Sequence, residues 1–262
     1  MALNNYTVKF PQGVHALKAN FFLAQLYFND GDFANSIVNY KFVASQPTNE
    51  FIEQSLAKLS EIYLNKSDFL AAIPFLQRLE TQANSTQNKN FAIVNLMRSF
   101  YNTNQYVQAV HYAEIVLEND KIDNSLKSDA QIIIARSAIK TNDYAKAKAA
   151  YIIVSKIAKG ELAAEALFYD AYFKNKEHKY LDSNKAIQKL AKDYSSYKYF
   201  GAQGLVVMGN NYYQLKDAFQ ATSILESVIE NFTNYPDVVA QAKIDLELIK
   251  TEQAKTNSSI NK

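Results

Sequence analysis

Residues 142–151 read NDYAKAKAAY, and close variants of this ten-residue stretch occur five more times in the chain. Successive copies begin 36 to 38 residues apart. Self-similarity at a fixed period in this range is typical of a protein built from one repeated supersecondary unit. The other five copies are GDFANSIVNY from Gly31, SDFLAAIPFL from Ser67, NQYVQAVHYA from Asn104, HKYLDSNKAI from His178 and KDAFQATSIL from Lys216.

Small residues recur at two positions of each repeat, and they indicate closely packed helix pairs. Two short side chains that face each other let two antiparallel helices approach closely, because the residues at the contact set the distance between the axes. Between the two helices runs a polar turn, which carries the Gly, Asn and Asp residues preferred in turns and at helix N-caps. Each repeat is therefore predicted to be a helical hairpin that buries its apolar face by stacking on the next. The sixth residues of the copies are Ser36, Ala72, Ala109, Ala147, Ser183 and Ala221, and the residues twelve places earlier are Ala24, Ser60, Met97, Ala135, Ala171 and Gly209, of which only Met97 is large.

The composition favours helices and limits the classes of function. Hydrophobic residues make up 48% of the chain, whereas 6 Gly and 4 Pro are too few for the turns of many short strands. A net charge of +2 without a block of lysines gives no field that would collect nucleic acid. No apolar stretch reaches the roughly 18 residues of a membrane helix. The sequence contains no Cys, which rules out disulfides and thiolate chemistry.

The sequence shows no catalytic constellation. His15, His111 and His178 stand in different repeats, without the spacing of a metal-binding pair. Glycine-rich phosphate loops and nucleophile elbows are absent from the sequence. Glu161 and Glu165 lie one helical turn apart, where we expect both to be solvated. We therefore expect no metal site, no cofactor and no enzymatic activity.

The pattern resembles the tetratricopeptide repeat, a helix-turn-helix unit with small residues at two fixed positions and a Tyr between them. The fullest copy runs from Leu23-Ala24-x-x-Tyr27 to Ser36-x-x-x-Tyr40 and Pro47. The Trp usual in that family is absent, and the period exceeds the family's roughly 34 residues. Ala218 stands where the other copies have an aromatic residue, and Phe219 is a candidate replacement. The resemblance implies an all-α fold, a right-handed α-solenoid of about six hairpins.

Four segments are expected along the chain. Residues 1–15 are interpreted as the remnant of a preceding repeat, 16–233 as six repeats, 234–254 as a capping helix and 255–262 as a flexible tail. Without a polar cap, the first hairpin is expected to expose apolar surface through which two copies of the chain could form a homodimer. The residues expected on that surface are Phe21, Phe22 and Phe28.

In the family that the chain resembles, the first helix of each hairpin lines a groove for a peptide or protein partner. Arg98 and Arg136 occupy equivalent places in consecutive repeats, where paired guanidinium groups could hold an extended acidic or C-terminal segment. The alternative is that they pair with acids on neighbouring helices, such as Asp129. Groove positions one residue after the first small residue are Gln25, Glu61, Arg98, Arg136, Tyr172 and Asn210, and those four residues after it are Phe28, Leu64, Tyr101, Ile139, Asn175 and Tyr213. The predicted binding residues are Gln25, Arg98, Tyr101, Arg136, Tyr172, Asn210 and Tyr213.

The leading hypothesis is a scaffold that binds a protein or peptide and catalyses nothing. Two alternatives stay open: a repeat module of a longer regulatory or enzyme-bearing chain, and a structural spacer. The segment DAFQATSILESVIE, residues 217–230, resembles the ends of large repeat proteins of Bacteroidota cell envelopes. That resemblance implies a periplasmic or envelope setting, while a cytoplasmic one stays open.

Overall fold

A computed structural model of the chain describes residues 2–260, with side chains as far as residue 255. Every regular element in this range is an α-helix, so the predicted all-α class is confirmed. Among the helices described, none combines the length and apolar character that a membrane crossing needs. The helices are α1 (Ala2–Lys9), α2 (Ala16–Asn29), α3 (Phe33–Ser45), α4 (Ile52–Asn65), α5 (Phe69–Gln82), α6 (Thr86–Asn102), α7 (Tyr106–Glu118), α8 (Asn124–Lys140), α9 (Tyr144–Ile157), α10 (Gly160–Lys176), α11 (Tyr180–Asp193), α12 (Lys198–Gln214), α13 (Ala218–Asn231) and α14 (Pro236–Ile260).

The chain divides into two compact units, Met1–Asp143 and Tyr144–Lys262. In the first unit, α2/α3, α4/α5 and α6/α7 form antiparallel hairpins, and α8 packs on α6 and α7. In the second unit, α9 packs on α10, the hairpins are α10/α11 and α12/α13, and α14 packs on α12 and α13. We call the first helix of each hairpin its A helix and the second its B helix. We count α8 and α14, which follow the last hairpin of their unit, as A helices too, and α9, which precedes the first hairpin of its unit, as a B helix. Each B helix also contacts the A helix that follows it within its unit, which is the stacking of an α-solenoid.

The small residues lie where the two helices of a hairpin touch, as predicted. The hydroxyl of Ser183 on α11 donates to the carbonyl oxygen of Ala171 on α10 at 2.8 Å. At Gly209 on α12, an added Cβ would come within 2.9 Å of Leu225 Cγ on α13. The sixth residues of all six copies have no exposed surface: Ser36, Ala72, Ala109, Ala147, Ser183 and Ala221.

Every copy of the ten-residue stretch begins with a residue in the left-handed region, because the chain must reverse there between two helices. After α2, the Gly31 N–H donates to the Phe28 carbonyl and the Asp32 N–H to the Tyr27 carbonyl, so two carbonyls of the last turn of the helix are paired. Asp32 then caps α3 by accepting from the Asn35 N–H at 3.1 Å. The first residues of the six copies, all left-handed, are Gly31 (φ 76°), Ser67 (55°), Asn104 (60°), Asn142 (58°), His178 (61°) and Lys216 (68°).

The core continues onto α14, which packs on the last hairpin as a cap would. Its buried face carries Val238, Ala242, Leu246 and Ile249, which pack with residues of α12 and α13 such as Leu225. The helix extends through Ile260, so residues 255–260 of the predicted flexible tail are helical. The rest of that tail, residues 261 and 262, lies outside the described residues.

Three expectations about single residues were wrong. Phe219 does not replace the missing aromatic residue, because it is 80% exposed in the first turn of α13. Glu165 is buried rather than solvated, since the Tyr151 hydroxyl donates to its carboxylate at 2.7 Å. Phe21 does not belong to an exposed surface of the first hairpin, because it stacks on Phe51 with ring centroids 4.4 Å apart. Phe22 remains 39% exposed.

Candidate functional site

The A helices α10, α12 and α14 of the second unit enclose a groove, with α12 in the middle. Its volume is about 540 Å³. We call it the A-face groove. Its lining combines two aromatic rings, four side-chain amides, three charged groups and three valines: Phe168, Tyr172, Asn175 and Lys176 from α10, Gln203, Val206, Val207 and Asn210 from α12, and Asp237, Val238, Gln241 and Asp245 from α14.

Hydrogen bonds between α12 and α14, and one within α14, fix the polar side chains on these two sides of the groove. Asn210 donates to Asp245 at 2.8 Å, and Gln241 donates to the other oxygen of the same carboxylate at 2.8 Å. The Tyr199 hydroxyl donates to Asp237 at 2.8 Å. Burial raises the pKa of Tyr199 to about 12, and the bond to the Asp237 carboxylate adds to the rise. Tyr199 is therefore a neutral donor at physiological pH.

The α10 side of the groove is aromatic. Tyr172 packs against Phe168 with ring centroids 6.3 Å apart, and the Lys176 ammonium stands 5.2 Å from the centre of the Tyr172 ring. Burial raises the pKa of Tyr172 well above its usual value, with a hydrogen bond to Tyr144 as the next cause. This side of the groove therefore offers flat apolar area with a neutral hydroxyl at its edge.

A buried amide network positions Asn175 at the groove. Its Nδ2 donates to Asn211 Oδ1 at 2.7 Å. Asn211 has no exposed surface and donates in turn to Ser183 Oγ at 2.8 Å and Asn184 Oδ1 at 2.7 Å. Because the network joins α10, α11 and α12, it holds the α10 side of the groove in register with α12.

A second, larger cleft of about 680 Å³ lies over α10 between α9 and α11. Its charged groups are paired within the chain: Lys148 and Lys179 both bind Glu177, Lys174 binds Asp170, Asp182 binds Lys185 and Lys189 binds Asp193. Hydrogen bonds from Lys148 and Lys179 lower the pKa of Glu177 to about 2. Because these charges are already compensated within the chain, this cleft offers a ligand fewer uncompensated charges than the A-face groove does.

Two of the sequence-predicted binding residues, Tyr172 and Asn210, come together in the A-face groove. Tyr213 lies nearly one turn further along α12, outside the groove lining. Its hydroxyl donates to Glu252 on α14. That hydrogen bond, with some burial, raises the pKa of Tyr213.

The four predicted residues of the first unit lie on the A helices α2, α6 and α8. Arg98 lines a groove of about 410 Å³ between α6 and α8 and donates to the Asp129 carboxylate on α8. For Arg98 the structure thus shows the ion pair that was the alternative to a ligand contact. Tyr101 packs edge-on against Tyr106 with centroids 6.0 Å apart. Gln25 on α2 and Arg136 on α8 are half-buried and lie outside that groove.

Sequence reasoning missed the contribution of α14 to the groove. Asp237, Gln241 and Asp245 each stand 38 residues after a residue of α12, namely Tyr199, Gln203 and Val207. The same offset relates Ala171 to Gly209 in the two preceding A helices. The 38-residue offset is therefore the signal, and extending the repeat period into the capping helix would have predicted these residues.

In the described residues, no cluster of three or more His, Asp and Glu side chains is arranged to hold a metal ion. His15 and His178 contact neighbouring tyrosines. The backbone N–H of His15 donates to the Tyr6 hydroxyl at 3.2 Å, the His15 ring centroid lies 6.1 Å from the Tyr6 ring centroid, and His178 Nδ1 lies 2.7 Å from the Tyr180 hydroxyl.

No protein-family model matches the sequence, and no curated protein matches it. Solved structures similar to it include a tetratricopeptide repeat protein from Parabacteroides merdae ATCC 43184, with 12% identity over 92% of this chain and 90% of that chain and a TM-score of 0.42. The TPR domain of P58(IPK) shows 14% identity over 97% of this chain and 68% of that chain, with a TM-score of 0.43. The apo form of RapI shows 16% identity over 92% and 99%, with a TM-score of 0.48. All three are distant from this chain in sequence.

Proposed function

We propose that this chain is a non-catalytic interaction scaffold whose A helices bind a segment of a partner protein. The observation that carries the proposal is the A-face groove, where three consecutive A helices present amides, aromatic rings and charged groups to one space. A peptide backbone needs both donors and acceptors along its length, and side-chain amides such as Gln203 and Asn210 provide both.

Hydrogen bonds within the chain hold the polar side chains of the groove in place before any partner binds. Asn175 is held by the buried Asn211, and Asn210 and Gln241 are held by Asp245. Side chains that are already fixed lose little conformational entropy when a ligand binds, so less of the interaction energy is spent on ordering them. This arrangement favours a binding role over that of a spacer.

The proposal also covers the A helices of the first unit, where Gln25, Arg98, Tyr101 and Arg136 are the predicted contacts.

The homodimer also stays a prediction. Of the three side chains expected at its interface, Phe22 is 39% exposed, Phe28 is half-buried and Phe21 is buried. Sedimentation equilibrium of the wild-type chain and of Phe22→Ser tests it, because a dimer through this surface would weaken in the variant.

A displayed library of short random peptides, selected on the whole chain, tests the binding role. Selected peptides should lose about tenfold or more in affinity for the variant Gln203→Ala/Asn210→Ala, since hot-spot contacts cost more than about 1.4 kcal/mol each. The matched control is Gln220→Ala/Asn231→Ala, which removes two exposed amides of the B helix α13. If no peptide is enriched, or if the enriched peptides bind both double variants as they bind the wild type, the chain does not bind peptides in this groove.

Three alternatives make different predictions. A spacer would yield no peptide that depends on the groove, and an enzyme would show turnover by the isolated chain. A module of a longer regulatory chain would bind as the scaffold does, so the sequence of its gene separates these two. The cell-envelope setting implied by the resemblance of residues 217–230 belongs to the proposal, and fractionation of the source cells tests it.

A further inference from the structure

We propose that the A-face groove binds an extended polypeptide segment in which apolar and basic side chains alternate. This inference rests on the proposed function and narrows its partner to one class of peptide.

The first step concerns the spacing of two amides on α12. Gln203 and Asn210 are seven residues apart, so they share one face of the helix and lie about 10 Å apart along its axis. Three residues of an extended strand span the same distance, at about 3.3 Å per residue. Both amides can therefore reach the backbone of one extended segment that lies along α12. A helical ligand would offer them little, because its backbone groups are paired internally.

The second step concerns the hydrogen-bonding capacity of these amides. Gln203 donates to the Tyr199 hydroxyl at 3.3 Å and Asn210 donates to Asp245 at 2.8 Å, so each amide uses one donor within the described part of the chain. A side-chain amide carries two N–H donors and one carbonyl acceptor. Each therefore retains a donor and an acceptor, which is the set that one peptide unit requires.

The third step concerns the two walls of the A-face groove, which are formed by α10 and α14. In an extended segment, successive side chains point in opposite directions. Along α12, one set of side chains would face Phe168 and Tyr172 on α10, and the other set would face Asp237 and Asp245 on α14. Apolar side chains suit the first wall because they remove aromatic surface from water.

The fourth step concerns charge at the α14 wall. Asp237 accepts from the Tyr199 hydroxyl, and Asp245 accepts from the Asn210 and Gln241 amides, so all three donors are neutral. Neither carboxylate forms an ion pair with any residue that the structure describes. Lys176, the groove's one cation among the described lining residues, stands over Tyr172 on the opposite wall. The α14 wall thus carries two uncompensated negative charges, which complement Lys or Arg side chains and repel acidic ones.

Fluorescence anisotropy with three labelled peptides of equal length tests the inference on the whole chain. The peptides alternate Leu with Lys, Leu with Gln or Leu with Glu. The Leu/Lys peptide should bind roughly fivefold to tenfold more tightly than the Leu/Gln peptide, because two partly exposed ion pairs contribute modestly. The Leu/Glu peptide should bind most weakly, and the preference for Lys should fall with salt.

Isosteric substitution locates the effect. Asp237→Asn/Asp245→Asn should abolish the difference between the Leu/Lys and Leu/Gln peptides. The control Asp182→Asn/Glu230→Gln removes the same charge from two exposed acids on the B helices α11 and α13 and should preserve the difference. Circular dichroism confirms that each variant is folded before its binding is measured.

The outcomes separate this inference from the proposed function. Equal affinity for the three peptides, with dependence on Gln203 and Asn210, would refute the charge preference and leave the peptide-binding role intact. A Lys preference that also disappears in the control variant would show attraction to the protein as a whole and would overturn the inference. If none of the three peptides binds while a library peptide does, this class of ligand is wrong. If no library peptide binds either, the proposed function fails with it.

Discussion

The hydroxyl of Ser36 donates to the backbone carbonyl oxygen of Ala24 at 2.9 Å, across the contact between the two helices of the first hairpin. Ser183 makes the same bond to Ala171 in the second unit. A side chain as short as serine reaches the facing backbone only where two helices are very close. The bond therefore measures directly the approach that the small residues permit.

Enlarging Ser36 should destabilise the first hairpin. Ser36→Leu is expected to lower the free energy of unfolding by about 2–3 kcal/mol, because it overpacks a contact without free space and removes the hydrogen bond. Ser36→Ala removes the bond alone and should cost about 1 kcal/mol. Urea unfolding followed by circular dichroism measures both. Ser45→Leu, at an exposed position of the same helix, should change stability by less than about 0.5 kcal/mol, and an equal loss at Ser36 and Ser45 would show that the contact is loose.

Replacing Lys216 by Gly should stabilise the second unit. Lys216 has φ 68°, a left-handed conformation that costs a residue with a Cβ about 1–2 kcal/mol. Glycine avoids this strain but adds entropy to the unfolded chain, so a net gain of about 0.5–1 kcal/mol is expected. The midpoint of urea unfolding should rise accordingly.

Two further variants separate backbone strain from the loss of the lysine side chain. Lys216→Ala keeps a Cβ at the same φ and should bring no gain. Gly31→Ala introduces the strain at the equivalent turn of the first unit, where φ is 76°, and should cost about 1 kcal/mol. A stabilising Lys216→Ala would mean that the side chain, and not the backbone conformation, limits stability there.

Glu53 should make the first unit sensitive to acid. Its carboxylate accepts from the backbone N–H groups of Asn84 and Ser85 at 2.8 and 3.2 Å and from the Asn88 amide at 2.7 Å, which ties the start of α6 to α4. Burial alone would raise the pKa of Glu53, but the hydrogen bonds from Asn88, Asn84 and Ser85 outweigh it, so the pKa lies below its usual value.

A lowered carboxyl pKa contributes stability that is present above the unfolded-state pKa, about 4.5, and is lost as the pH falls through the folded-state value. Wild type should therefore exceed Glu53→Gln by about 1 kcal/mol at pH 7, and the difference should shrink steadily below about pH 4.5. Urea unfolding at a series of pH values measures it. Glu50→Gln, an exposed neighbour, should show no such dependence, and a constant gap between wild type and Glu53→Gln down to about pH 3 would refute this role.

The hairpins and turns were predictable because each depends on residues close together in sequence. A small residue and its partner twelve places earlier meet through local geometry, and the first residue of every copy is left-handed. The A-face groove was only half predictable. Tyr172 and Asn210 follow from the repeat, but Asp237 and Asp245 lie on a helix whose apolar face suggested a shield for the core. The contribution of its polar face to the groove can be predicted only when α14 is treated as a further A helix.

Arg98 shows the other limit of sequence reasoning, since its place in the repeat suited both a ligand contact and an ion pair. Its guanidinium binds Asp129 on α8, with 40% and 43% of the two side chains exposed. A double-mutant cycle of Arg98→Ala and Asp129→Ala should give a coupling of about 0.5–1 kcal/mol that weakens toward about 1 M salt, because solvent screens a pair this exposed. The control cycle of Arg98→Ala with Asp120→Ala should be additive within about 0.5 kcal/mol. Additivity in the first cycle would mean that the pair contributes nothing to the fold, and Arg98 would then be available for the acidic segment that its place in the repeat suggested.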